Sequence, residues 1–339
     1  MKNLPVKIAM LLVLGSAVCR AEVTLMVEEP YGTFGGMNPT GHAAIYLSRV
    51  CAATPLTLRR CEPGEAGAVI SRYHRVGGYD WIAIPLIAYL YAVDSPDQVP
   101  DWATPSVVAS LRDQYRRAHL EMVAPDASGG TTPPGDWTQL VGESYDRAIY
   151  TFGMSTTPQQ DDKLIRIFNS RPNHVRFHLL FKNCADFARQ VIALYYPKAI
   201  HRNFSDDLGI MTPKQLARCV VRYDKKHPRL NLSTYVIPQV SGTVPRSSEV
   251  RGVLESLLKS KRYAFPLASL AVFHPAVGGG LAYAWLAGSQ FDPRHVTLAD
   301  GERNDRVLTP DTVANSLALN DETSVAAWSP KPVTVPQGR

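Results

Sequence analysis

No Cys-x-x-Cys pair and no His-Glu-x-x-His run occurs in this 339-residue chain, so the usual sequence forms of a zinc site are missing and neither metal nor cofactor is expected. No dense Lys/Arg run interleaved with aromatics is present either, which leaves nucleic-acid binding without a footprint. No internal repeat is visible. Cysteine is scarce, with five in the chain, so each can be weighed singly. Apolar residues are plentiful at 45%, enough for the core of one large domain with appendages.

The first residues read as an export signal. Lys2 and Lys7 form a basic start, an apolar run begins at Ile8, and Cys19-Arg20-Ala21 offers small residues at the cleavage-determining positions. Residues 1–21 are therefore expected to be a secretory signal peptide, too short for a membrane span. Setting aside Lys2, Lys7 and Arg20 from the 36 basic residues leaves 33 against 30 acids, a net charge of +3. The apparent basicity is partly a targeting feature. The expected location is periplasmic or cell-envelope.

The most informative pair is Asn183-Cys184. The preceding run 174–181 has Val175, Phe177, Leu179 and Phe181 in alternation and reads as a strand. The following run has Phe187, Ala188, Val191, Ile192, Leu194 and Tyr195 at helical spacing, until Pro197 stops it. Cys184 thus falls at a helix start, where unpaired N–H groups and the helix dipole favour a thiolate and could hold an oxyanion. That is the core of a cysteine nucleophile, although a buried structural cysteine is the alternative. His174 and His178 share the expected strand and would stand about 13 Å apart along it, too far to share a metal.

A thiol nucleophile needs a base. Among nine histidines, His42 is the best placed. It opens the run Gly41-His42-Ala43-Ala44-Ile45-Tyr46-Leu47 after the turn signal Asn38-Pro39-Thr40-Gly41. Small residues beside it leave room for a neighbouring group.

Gly41-His42-Ala43-Ala44-Ile45-Tyr46-Leu47, followed much later by Asn183-Cys184-Ala185-Asp186-Phe187, resembles the circularly permuted branch of the NlpC/P60 papain-like superfamily. That branch includes lecithin:retinol acyltransferase-like and bacterial envelope proteins. The resemblance spans roughly residues 22–225. It implies an α+β fold, an antiparallel sheet packed against helices, with Cys184 as nucleophile and His42 as base. A third polar residue on the next strand would orient the imidazole. That strand is expected over residues 66–74 and offers Ser71 and His74, on opposite faces. His74 is the better orienter chemically and Ser71 fits the local pattern; the choice stays open.

Cys51 and Cys61 bracket a loop between two expected strands, and in an oxidising compartment they could pair. Cys219 lies on a helix capped by Thr212-Pro213 and reads as a small buried hydrophobe. Val23–Val27 reads as the first strand, and residues 81–93 as a buried element broken at Pro85. Residues 103–122 and 136–150 look helical, and Thr157-Pro158 opens another helix.

The domain reading is therefore a signal at 1–21, a thiol-enzyme domain at 22–245, an apolar helical segment at 246–291 and a largely disordered tail at 292–339. An amphipathic helix is expected to open at Ser247-Ser248-Glu249. Residues 263–291 carry no charge except on His274. Pro275 and Gly278-Gly279-Gly280 divide them into halves too short to cross a bilayer. A helical hairpin broken around 275–280 is expected, either packed on the domain or touching a membrane interface.

Three functions remain open. The first is an exported amidase or peptidase on peptidoglycan or envelope peptides. The second is a lipid acyltransferase or acyl hydrolase at a membrane surface. The third is a non-catalytic envelope binding protein that keeps the fold.

Overall fold

The computed structural model describes residues 22–298 apart from 33–38, 75, 128–132, 134, 135, 175, 176, 179, 203–206 and 260. The expected signal peptide and residues 299–339 of the expected tail lie outside the described residues.

Alternating and continuous apolar runs form the strands β1 (Glu22–Glu28), β2 (His42–Leu47), β3 (Val50–Thr54), β4 (Thr57–Arg60), β5 (Ala68–Ser71), β6 (Ile82–Pro85), β7 (Ile149–Ser155) and β8 (Ser233–Ile237). The helices are α1 (Leu86–Tyr91), α2 (Pro105–His119), α3 (Glu143–Asp146), α4 (Pro158–Ser170), α5 (Cys184–Tyr195), α6 (Pro213–Asp224), α7 (Val253–Lys259), α8 (Lys261–Phe273), α9 (Pro275–Ser289) and α10 (Pro293–Leu298). Three helices start by the same local chemistry. Thr104, Thr157 and Thr212 each accept an N–H from three residues on (Val107, Gln160 and Gln215), with proline at the first helical position.

Six strands form one sheet in the order β6-β5-β2-β1-β7-β8, every pair antiparallel. The chain is thus α+β, an antiparallel sheet packed against helices, as expected. Alternation sends Val23, Leu25, Val27, Ala43, Ile45 and Phe152 to one face, where residues of α4, α5 and α6 cover them. Met26, Ala44, Val69, Ile82 and Ile149 face the other way, into a second core with α1 and α2. Both faces of the sheet are therefore buried.

Three expectations need correction. Among the described residues of 174–181 there is no strand. His178 and Lys182 exchange two backbone hydrogen bonds across a tight turn, and Leu180 and Phe181 are exposed. Alternation alone does not hold a strand that has no neighbour to pair with, and the argument from His174–His178 spacing falls with it. The segment 136–150 begins with a 3-10 turn at Asp136–Leu140 and the short α3, but from Ile149 it is the buried strand β7. The helix expected to open at Ser247 starts only at Val253; Ser247 and Ser248 are instead spent on bonds to Glu29 and the Pro30 carbonyl. The break in the apolar segment falls at the Pro275 end of the expected range, and the three glycines lie inside α9. The break at Pro85 does fall as expected, between β6 and α1.

Cys51 and Cys61 are disulfide-bonded. The loop they bracket is itself a two-stranded ladder, β3 with β4. Asn169 of α4 grips it from outside, accepting the Leu58 N–H at 2.9 Å and donating to the Leu58 carbonyl at 2.8 Å. Replacing both cysteines with serine is expected to lower stability by about 3 kcal/mol in the chain-entropy account. Denaturant unfolding reads this; a loss below about 1 kcal/mol would assign the hold to the ladder and Asn169 instead.

Candidate active site

Cys184 is the first residue of α5, and Asn183 caps that helix, its side-chain oxygen accepting the Asp186 N–H at 2.9 Å. The Asn183 amide nitrogen donates to the Met211 carbonyl at 3.0 Å, which pins the helix start to the loop before α6. Arg72, just past β5, donates to the Asn183 carbonyl at 3.5 Å and to Asp80 at 2.5 Å. Asn183 and Asp186 thus shape the first turn; Asp186 pairs with Arg202.

His42 begins β2 directly after Gly41. That glycine has φ of 80°, and a Cβ there would collide with the Glu28 carbonyl. Only glycine suits the position, and its turn fixes where His42 enters the sheet. The imidazole is buried and stacks on Tyr73 with ring centres 5.2 Å apart; along the backbone His42 stands opposite Glu28 of β1.

Of Ser71 and His74, Ser71 is the one that meets His42. Ser71 Oγ lies 2.8 Å from His42 Nε2 and 2.8 Å from the Ala43 carbonyl. A serine hydroxyl has one proton, and a carbonyl can only accept. That proton therefore goes to Ala43, and His42 Nε2–H must donate to Ser71 Oγ. The tautomer leaves Nδ1 as the basic nitrogen. His74 is elsewhere: it is exposed, with its ring at Asp136 and Phe177. β5 ends at Ser71, so His74 falls beyond the strand that was expected to present it.

Cys184 is buried, and the backbone N–H groups of Ala43 and Ala185 lie on the side of its sulfur and favour the thiolate. Ala43 therefore lies between both halves of the site, with its N–H toward the sulfur and its carbonyl accepting from Ser71, the neighbour of His42. Among the described residues no hydrogen bond links Cys184 directly to His42. Burial pushes the thiol up to about 11 despite those two N–H groups. Burial, then the charge of Arg147, holds His42 well below its ordinary value. The helix-start effect expected to favour a thiolate is outweighed by desolvation. The resting pair is a thiol and a neutral imidazole.

Comparison of the chain with protein-family models, with curated proteins and with solved structures found no match.

Beside His42 lies a buried ionic group that sequence reading missed. Arg147 sits between Glu143 at 2.5 Å and Glu28 at 3.4 Å, all three almost fully buried. Tyr89 donates to Glu28. Burial raises both carboxyls despite Arg147. The Glu143–Arg147 spacing of four residues was a visible helix-type pair; nothing local pointed to Glu28. The other close cluster of metal-type ligands among the described residues is Cys51, Cys61 and Glu65, and its sulfurs are tied up in the disulfide.

His42 carries a pH consequence. Its folded pKa is lowered from an ordinary 6.5, so below that pH the unfolded chain takes up a proton that the folded chain refuses. Stability is lost as pH falls through this window. Wild-type stability measured against His42→Gln is expected to drop by about 1.4 kcal/mol per pH unit below about 6.5. A difference that stays constant from pH 7 to 5 would place a charged imidazole in the fold. Glu28 and Glu143, raised above 4.5, act in the opposite direction, but they are common to both proteins and cancel in the comparison.

Proposed function

We propose that this chain is an exported cysteine hydrolase of the permuted papain-like, NlpC/P60 kind, acting on amide bonds of peptidoglycan or envelope peptides. The observation that carries the reading is Ser71 Oγ at 2.8 Å from both His42 Nε2 and the Ala43 carbonyl: with Ser71 donating to Ala43, Nε2–H donates to Ser71 and Nδ1 is left as the base, near a sulfur at the start of α5. The order of a histidine strand before a cysteine helix also suits the permuted branch.

In the proposed cycle Nδ1 takes the thiol proton as Cys184 Sγ attacks the carbonyl carbon. N–H groups at the start of α5 hold the oxyanion. The imidazolium gives its proton to the leaving amine, and a thioester remains. Water, deprotonated by the same nitrogen, releases the acid and restores the thiol. With both groups neutral at rest, His42 acts as a general base during attack rather than as half of a preformed ion pair.

Acyl transfer or hydrolysis on a lipid is the second reading. It is favoured by the exposed apolar residues of α8 and α9.

Mass spectrometry of the purified protein after an electrophilic acyl probe tests the chemistry. Cys184 should carry the acyl group, and His42→Ala should suppress it. Equal labelling of Cys184 and Cys219, unchanged in His42→Ala, would instead favour a binding protein that keeps the fold. Turnover of peptidoglycan fragments against acyl lipids separates the two substrate classes.

A further inference from the structure

The helices α8 and α9 fold back on each other and pack chiefly on each other and on α7. Gly278 lies where a Cβ would press on the Ala271 backbone, so the tip closes tightly. Both ends of the pair are fastened to the domain. On one side the Val253 N–H bonds Asp207 at 2.7 Å, and Lys214 grips Glu255 at 2.8 Å. On the other, Arg294 of α10 donates to Tyr150 at 3.1 Å and to Glu29 at 3.2 Å.

Between these anchors the surface is apolar. Phe265, Val272 and Phe273 are each more than three-quarters exposed, and Tyr283, Trp285 and Leu286 are also exposed. In sequence, α9 has no charged residue and only Tyr283 and Ser289 are polar, so no face of it is suited to water. The domain therefore does not cover the segment, against the packed version expected from sequence. The length does not fit a span. At 13 and 15 residues the helices run about 20 and 22 Å, short of the roughly 30 Å hydrocarbon thickness. Among the described residues no helix is long and apolar enough to cross a membrane.

Charge points to the occupant. Between Glu255 and Asp292 the sequence has no acid, while Lys259, Lys261 and Arg262 stand at the foot of α8. Aromatics on an uncharged hairpin above a cationic foot match the boundary between acyl chains and anionic headgroups.

We infer that α8 and α9 are a docking element that lies in the surface of an anionic phospholipid bilayer without crossing it. The inference goes beyond the acyl-transfer reading and requires no reaction. The placement would nonetheless bear on that reading. Asp207, which holds the foot of the hairpin, also accepts from Thr212 at 3.0 Å, and the adjacent Met211 carbonyl holds the Asn183 cap of the Cys184 helix.

The test is flotation of the intact purified protein with vesicles of phosphatidylcholine plus phosphatidylglycerol, and with phosphatidylcholine alone. The wild type should float with the anionic vesicles, less so at high salt, and Cys184→Ala should float equally well. Val272→Asp with Phe273→Asp should weaken binding about tenfold or more. Both positions are exposed, so thermal unfolding should not move. As a second readout, brominated lipids should quench tryptophan emission in the wild type and not in Trp285→Leu. No flotation, flotation indifferent to the aspartates or to lipid charge, or a dimer dissolved by the aspartates in place of vesicle binding would each overturn the inference.

Discussion

Replacing Arg147 with Met is expected to cost the fold about 3–5 kcal/mol, the usual consequence of removing one partner from a buried ion pair. The methionine fills similar space but brings no charge. Glu143 then loses its contact at 2.5 Å and Glu28 its contact at 3.4 Å. Both carboxyls must then take up protons or stay buried as bare anions. Guanidinium chloride unfolding at neutral pH measures the loss. The variant should also recover stability as the solution is acidified, because protonated carboxyls need no cation. Changing Glu28, Glu143 and Arg147 together to apolar residues of like volume should restore much of the loss. A loss below about 1 kcal/mol for Arg147→Met would mean that the carboxyls are satisfied without the guanidinium. The same variant should let His42 titrate at higher pH, since the Arg147 charge is one of the two influences that depress it.

The second large effect concerns the thiol. Cys184→Ala should abolish acyl labelling. His42→Ala should slow it by about 10²–10⁴-fold, the usual worth of a general base. Ser71→Ala should slow it about tenfold, near the worth of one hydrogen bond, because either imidazole nitrogen could then carry the proton. His74→Ala should leave the rate unchanged. Simple alkylation by iodoacetamide should behave differently. With the thiol pushed up to about 11, its rate should climb about tenfold per pH unit through the neutral range, with no plateau before about pH 11. A plateau near pH 7 would mean that an ion pair had formed after all. Measuring both probes separates a sulfur that is reactive by itself from one made reactive by a bound carbonyl substrate.

Local chemistry made part of this site readable beforehand. Asn183 caps the helix through a bond to Asp186, three residues on, so the pattern sits within one turn. Gly41 marks the entry of His42 by its own backbone angle. The choice between Ser71 and His74 could not be made that way, because it depended on where β5 stops, and that is set by pairing with β2 and β6. The Glu28–Arg147–Glu143 group was invisible for a related reason: β1 and the turn after α3 meet only in the fold. The alternation at 174–181 misled because a strand needs a partner, and the described sheet places none beside it. The disulfide was legible in its spacing. The apolar hairpin was legible in outline: the break expected around Pro275 to Gly280 falls at its Pro275 end, and the glycines lie inside the second helix.

Ala43 gives the site an unusual mechanical property. One backbone residue places its amide toward the sulfur and its carbonyl as the acceptor of Ser71. The relative position of Cys184 and His42, the proposed nucleophile and base, is therefore gauged over the length of a single residue rather than across the layered domain. Thermal breathing that slides α5 or tilts the outer strands would move the site as one piece while those two contacts last. The ratio of His42-dependent to His42-independent reactivity should then stay constant through the early part of a thermal ramp and fail abruptly when β2 leaves the sheet.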